Sequence, residues 1–476
     1  MSAQITSVKV AALWRRVLLL VPVAAACAGA WYVGRWSLGN TMAEWLPDAG
    51  AARVAARLAP DDPQAHFTLA RLAERSFEPE QLAAAVAEYE QAAAGAPNDY
   101  RLWFELGRAR GLAGDDAGGE RALRRAVELA PNYPAPHWYL GNLLLRTGRD
   151  QEAFAELRQA AAADPEKYRA QVFEIAWRAA GGRTADLLAL VGDTPDARAA
   201  LIEFLLNRQT GDAAARAAAR AEAARIWTGL DAAARRAHQE TGTKLRDAFL
   251  AAKQYHAALA VERQLSGSAA TTSDAATNSV ATDGATRPAL PAEDQLLNGG
   301  FEQPVGPPGK TWYDWQVAQV AQAEVKLDPS VRRGGARSLR LVFNATGALD
   351  FQHVSQLVVV APQTRYRLSY FVRTEELQSA STLVTEVSAA AAGARRLAAA
   401  PPLAQGSSDW QQTALDFTTG ASDEAVVVRL VRAPCAQALC PLSGKVWYDD
   451  FNLERLGGGP ANGGRARADA ADARAR

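Results

Sequence analysis

Apolar positions change their spacing twice along this chain, and each change predicts a different kind of structure. Residues 17–34 carry no charge, opening Val-Leu-Leu-Leu-Val-Pro-Val and closing Ala-Trp-Tyr-Val-Gly between Arg16 and Arg35. From about Ala51 to Leu265 apolar residues recur at three-and-four spacing, which predicts amphipathic helices, among them 173–179, 199–206, 214–227 and 245–265. Beyond residue 338 the spacing becomes alternating and rich in β-branched and aromatic residues. It predicts strands over 338–343, 365–372, 383–387, 410–417, 425–430 and 445–453. Between the two regimes, residues 266–294 are alanine, threonine, serine and proline with almost nothing large to bury, so the segment cannot offset its own ordering entropy. It predicts a flexible linker that spans roughly 30 Å as a random coil.

The uncharged N-terminal run is near the minimum length for a membrane-spanning helix, about 20 residues. Lys9, Arg15 and Arg16 precede it, and Glu44 and Asp48 follow. Positive charge stays on the cytoplasmic side, so residues 1–16 are expected in the cytoplasm, 17–34 as a signal-anchor in the bacterial inner membrane, and the body in the periplasm. Trp31 and Tyr32 suit the far interface. Two other outcomes deliver the body to the same compartment: cleavage after Ala28-Gly29-Ala30, or lipidation at Cys27, where Ala24-Ala25-Ala26-Cys27 only loosely matches a lipoprotein box.

Within the helical region Pro97, Pro131 and Pro165 are 34 residues apart, and Leu106-Gly107 and Ala126 are matched by Leu140-Gly141 and Ala160. An earlier unit shows in Leu69, Ala70, Ala85, Tyr89, Ala92 and Pro97, with about three extra residues around 76–79. The spacing and the residues resemble the tetratricopeptide repeat family, closely over 51–165 and loosely over 166–265. The resemblance implies a solenoid of antiparallel helix pairs over 51–265 whose concave surface binds partner proteins; Asn98, Arg101, Glu105, Arg108, Asn132 and Asn142 are the candidates for that surface. Taken singly, each also fits a solvated helix face or a turn. Gly118-Gly119 and Gly181-Gly182 read as breaks between helices.

The strand region carries Asn298-Gly-Gly-Phe-Glu302, Gly335-Ala-Arg-Ser-Leu339, Ser408-Asp-Trp410 and Trp447-Tyr-Asp-Asp-Phe-Asn-Leu453 in that order. These motifs are similar to carbohydrate-binding modules of the galactose-binding-like jelly-roll type, over 295–456. The resemblance implies a β-sandwich and a structural calcium ion held by Glu302 with Asp449 or Asp450, oxygen donors that suit a hard cation. Sugar binding needs aromatic faces and a few amides or charges. Trp312, Tyr313 and Trp315 form the densest aromatic cluster, with Gln352 and His353 as polar candidates, while Trp410 and Trp447 are expected in the core.

Lysine plus arginine equals aspartate plus glutamate at 52 each, which removes the basic excess that nucleic acid demands. The chain holds five histidines at no metal-ligand spacing, no His-Glu-x-x-His, no Gly-x-Ser-x-Gly and no phosphate-binding glycine loop, so no enzyme is expected. Cys435 and Cys440 are spaced for a local disulfide in an oxidising compartment, or else stand as two free buried thiols. The tail, 457–476, is expected to be disordered. Together these readings predict a multi-domain α plus β chain: transmembrane helix, tetratricopeptide-like solenoid, linker and jelly-roll β-sandwich. The expected role is a non-enzymatic envelope scaffold that binds glycan in polysaccharide biosynthesis or export, the alternative being a protein-interaction scaffold with no sugar ligand.

Overall fold

A computed structural model of the chain describes residues 13–45, 48–75, 78–208, 211–270, 290, 292–307, 311–391, 394–435 and 439–456. The chain forms two compact units, Met1–Phe204 and Leu205–Arg476. The expected tail, 457–476, lies outside the described residues, as does most of the expected linker; its first residues, 266–270, instead close the last helix.

The first unit is helical. α1 (Leu13–Trp45) and α2 (Ala49–Leu58) precede three helix pairs: α3 (Pro63–Glu74) with α4 (Pro79–Gly95), α5 (Tyr100–Leu112) with α6 (Asp116–Leu129), and α7 (Pro134–Arg146) with α8 (Asp150–Ala163). α9 (Pro165–Ala179), α10 (Thr184–Val191) and α11 (Pro195–Asn207) follow. Aspartates start the helices by accepting otherwise orphaned amide protons: Asp62 from Gln64, Asp99 from Arg101, Asp115 from Gly118 and Asp164 from Lys167. Pro165 follows the end of α8 and opens α9, because proline at the first helical position loses no hydrogen bond.

Small residues set how closely the pairs approach. A methyl group on Gly141 would come within 2.7 Å of Leu157 Cγ, and one on Gly107 within 2.6 Å of Leu123 Cγ. Gly119 lies inside α6 with the Gly107 carbonyl 3.0 Å from where its Cβ would stand, so the Gly118-Gly119 pair is a close-packing surface rather than the expected break. Gly181-Gly182 is a turn as expected, both residues at positive φ.

A recurring bond closes each pair. The carbonyls of Pro60, Pro97 and Pro131 each meet a ring nitrogen six residues on: His66 Nε2 at 2.8 Å, Trp103 Nε1 at 2.9 Å and His137 Nε2 at 2.8 Å. The other nitrogens of the two histidines reach Glu88 and Glu156, each at 2.6 Å.

Among the described residues no helix is long and apolar enough to cross a membrane, so the expected transmembrane span at 17–34 is not supported. The segment is helical throughout within α1, yet its second half is mostly alanine and glycine rather than large aliphatic residues. Val17, Leu20, Val21, Val23, Trp31, Tyr32 and Val33 are all exposed there.

The second unit joins helices to a β-sandwich. α12 (Ala213–Thr228), α13 (Ala232–Ala237), α14 (Gln239–Ala251) and α15 (Tyr255–Ala270) lead into two antiparallel five-stranded sheets. One sheet orders β1 (Gln316–Val317), β4 (Val354–Val359), β9 (Ala425–Arg432), β6 (Leu383–Ala389) and β7 (Arg396–Ala399). The other orders β2 (Ala323–Asp328), β3 (Ser338–Ala345), β10 (Leu442–Arg455), β5 (Arg365–Gln378) and β8 (Gly406–Thr418). The six expected strands all form, each extended at one or both ends; β1, β2, β4 and β7 had no sequence signal strong enough to find them. Between the sheets lies a continuous core that includes Phe301, Trp315, Phe343, Phe351, Tyr370, Tyr448 and Phe451. Cys435 and Cys440 are joined in a disulfide with Cα atoms 6.4 Å apart, and the Arg432 guanidinium donates to the Cys440 carbonyl at 2.7 Å.

Candidate functional site

Pleating sorts the residues of the β1-β4-β9-β6-β7 sheet onto two faces. Val354, Val358, Val426, Val428, Leu430 and Val387 point into the core. Ser355, Leu357 and Val359 of β4 therefore face outward. Register sets Leu357 opposite Val427, Ser355 opposite Arg429 and Arg429 opposite Glu386, which gives an outward strip of apolar and charged residues on three adjacent strands.

Trp312 belongs to this face. It is half-buried and packs against a cluster made by Val359 and Ala425 of the sandwich with Tyr255 and Leu259 of α15, which Leu250 of α14, Leu357 and Ala390 also join. Its indole N–H is buried and meets no acceptor among the described residues. The other members of the aromatic cluster are more deeply buried. Trp315 is fully buried, with ring centroids 5.2 Å from Phe301 and 5.1 Å from Phe451, and Tyr313 is 4% exposed with its ring edge-on to Trp312. Trp315 belongs to the core between the sheets, and Tyr313 is buried against Trp312.

Gln352 is exposed and bonds Asp350, and His353 is half-buried with its ring 5.4 Å from that of Phe351. Among the described residues no hydrogen bond or ring contact joins either to Trp312.

The three predicted calcium ligands do converge, on the loop before β3. Glu302 accepts from the Ala336 amide at 2.8 Å, Asp449 from the Arg333 amide at 2.9 Å, and Asp450 from the Arg333 guanidinium at 2.5 Å. A methyl on Gly335, whose φ is +55°, would sit 1.8 Å from Glu302 Oε1, so only glycine lets the loop close on that carboxylate. Burial, together with the neighbouring Asp450 charge, pushes the Asp449 carboxyl up from its ordinary value against the pull of the Arg333 and Gly334 amides. The donor chemistry suits a hard cation; in this structure the carboxylates face N–H donors, and among the described residues no group of three or more His, Cys, Asp and Glu side chains is arranged to hold a metal.

Trp447 is buried, yet it lies on the outward face of the second sheet. Its Nε1 donates to Asp328 Oδ2 at 2.9 Å, and the Arg373 guanidinium lies 5.9 Å from its ring centroid. Burial opposes the Asp328 charge, but the Trp447 indole and the Ser330 and Val331 amides outweigh it and hold the carboxyl below its ordinary value. Trp410 is half-exposed rather than core. Arg333 stacks on Phe371 with its guanidinium carbon 3.5 Å from the ring centroid, a contact that no local motif announces.

In the first unit several of the predicted partner-binding residues make bonds within the fold, and Asn98, Arg101 and Asn132 are exposed. Arg108 pairs with Glu74 and with Glu105 (2.7 Å), tying α3 to α5, while Arg101 pairs with Asp99 and Asn142 donates to the Trp138 carbonyl at 2.8 Å. Only Asn98 and Asn132 stand exposed in their turns without such a bond. A separate cavity of about 340 Å³ opens between α8, α9 and α11, lined by Arg158, Arg169, Val172, Phe173 and Ala197 among others.

No protein-family model matches the chain, and no curated protein is similar to it. Among solved structures it is similar to a CBM4 module (15% identity, 34% of this chain and 99% of that one, TM-score 0.27). It is similar also to MamA (16%, 34% and 92%, TM-score 0.28) and to the CBM22-1 xylan-binding domain of Paenibacillus barcinonensis Xyn10C (14%, 36% and 100%, TM-score 0.25). At these identities and scores none of them assigns a ligand to this chain.

Proposed function

We propose that this is a non-enzymatic envelope protein whose helical pairs gather partner proteins and whose β-sandwich binds a polysaccharide on the outward face that carries Trp312. The observation behind the glycan half is Trp312 itself. It is an indole at the edge of a sheet face with charged residues on the neighbouring strands, and its N–H is free to donate to a hydroxyl. Aromatic faces with a few polar groups are what a pyranose ring requires.

The proposal keeps the first helix as a single-pass inner-membrane anchor, with residues 1–16 in the cytoplasm and the rest in the periplasm. The exposed apolar side chains of α1 support it, since an isolated helix showing Leu20, Val21, Val23 and Trp31 to water would be costly. The disulfide between Cys435 and Cys440 suits an oxidising compartment. Calcium is part of the proposal, held by Glu302 with Asp449 or Asp450; a melting temperature equal in calcium and in chelator removes the ion.

A glycan array probed with the wild-type chain and with Trp312→Ala tests the reading: a signal lost in a folded variant supports it. A silent array, with partner proteins still captured by the helical pairs, favours the scaffold without a sugar ligand. That alternative draws support from the coverage of Trp312 by α14 and α15.

A further inference from the structure

The geometry points to the α14–α15 hairpin as a removable cover over Trp312, so that one sheet face alternates between holding its own hairpin and holding a glycan; this inference rests on the glycan reading above. The hairpin's hydrogen bonds to the sandwich gather at one end of the sheet. The Tyr255 hydroxyl donates to the Ala390 carbonyl at 3.1 Å, just past β6. The His256 amide donates to Glu424 Oε2 at 3.1 Å, just before β9, and His256 Nε2 lies 3.1 Å from the Val360 carbonyl, just past β4. Glu424 thus places a carboxylate on the first turn of α15, where helix amides lack partners of their own. Two looser ion pairs, His256 with Glu293 at 3.7 Å and Arg263 with Glu293 at 3.8 Å, lie beside them.

Beneath them the apolar contact is small: Leu250, Tyr255 and Leu259 against Trp312, Leu357, Val359, Ala390 and Ala425. It also leaves the Trp312 N–H without an acceptor, a penalty that a permanent interface normally avoids. Trp315 and Trp227 have unpaired N–H groups too, but both are fully buried, whereas Trp312 lies at an interface that can part. A sugar offers what the hairpin does not, a hydroxyl to accept that proton together with a ring face to stack. Release of the hairpin therefore frees the same indole that the glycan requires.

The test compares the full chain with Tyr255→Phe/Glu424→Lys, which removes the hydroxyl bond and sets a cation against the start of α15, and with the milder Glu424→Gln. Hydrogen exchange is read separately over residues 239–265 and over the sandwich, and binding by mobility in native gels containing xylan, barley β-glucan or hydroxyethylcellulose. The expected result is faster exchange in 239–265 with the sandwich unchanged, and at least tenfold tighter retention by the double variant, with Glu424→Gln between. Faster exchange throughout the sandwich overturns the cover, since the hairpin is then part of one cooperative core. A released hairpin with retention equal to wild type overturns the cover and leaves the glycan reading standing. A released hairpin with no retention in any gel removes both.

Discussion

His137 is bonded at both ring nitrogens, Nδ1 to Glu156 at 2.6 Å and Nε2 to the Pro131 carbonyl at 2.8 Å. Both partners are acceptors, so both nitrogens must carry protons and the ring is held as imidazolium. The Glu156 bond, followed by the Pro131 carbonyl, raises the His137 pKa above its ordinary 6.5 against the opposing effect of burial. His66 has the same arrangement: burial is the largest influence and lowers its value, but Glu88, Pro60 and Asp62 together raise it.

A histidine with a raised folded-state pKa adds stability that is complete below the unfolded value and is lost as pH rises through the folded one. Thermal unfolding of the helical pairs is therefore expected to shift to lower temperature as pH rises above the ordinary 6.5 and through the raised folded values. The double variant His66→Gln/His137→Gln should lose most of that dependence, as measured by circular dichroism at 222 nm across the pH series.

Gly107→Ala and Gly141→Ala place a methyl against Leu123 and Leu157 where the helices cross. Over-packing of this kind costs about 1–3 kcal/mol each. Urea unfolding should show a lower midpoint for both, while Gly114→Ala, a site with open space but positive φ, is destabilised by backbone strain alone.

Trp447→Phe keeps most of the ring but removes the donor to Asp328, leaving a buried carboxylate short of one bond. The expected loss is roughly 1.5–3 kcal/mol, read as a lower melting temperature of the sandwich. Asp328→Asn in the same background should recover part of it.

Reducing the bond between Cys435 and Cys440 opens only a short loop, so loop-closure entropy predicts a loss of ~2 kcal/mol. Cys435→Ser/Cys440→Ser should reproduce the shift in melting temperature caused by reductant, and reductant should have no effect on that variant.

Much of the architecture was legible because it rests on local periodicity. The prolines at 97, 131 and 165 and the Leu-Gly pairs located the helix pairs, and alternation located the long central strands. The two-residue β1 and the short β7 were not legible, since so few residues display no period. The site was only partly readable for a different reason. Trp312 and Trp315 look equivalent in a cluster, yet they enter different apolar clusters whose other members lie far along the chain. Arg108 looked like a surface contact because its partner Glu74 lies 34 positions back on another helix. The extent of the hairpin was hidden as well. Residues 245–265 announce a helix, but nothing local to them says that Tyr255 ends against Ala390.

The joint between a proline carbonyl and a ring nitrogen six residues later is filled by imidazole, indole and imidazole in three successive pairs. Two chemically different rings serve one purpose, so what the seam demands is a donor at a fixed position. The array is in that sense extensible: a duplicated copy of residues 97–130, inserted in frame, brings its own Trp103 to close the added seam and lengthens the stack by one pair.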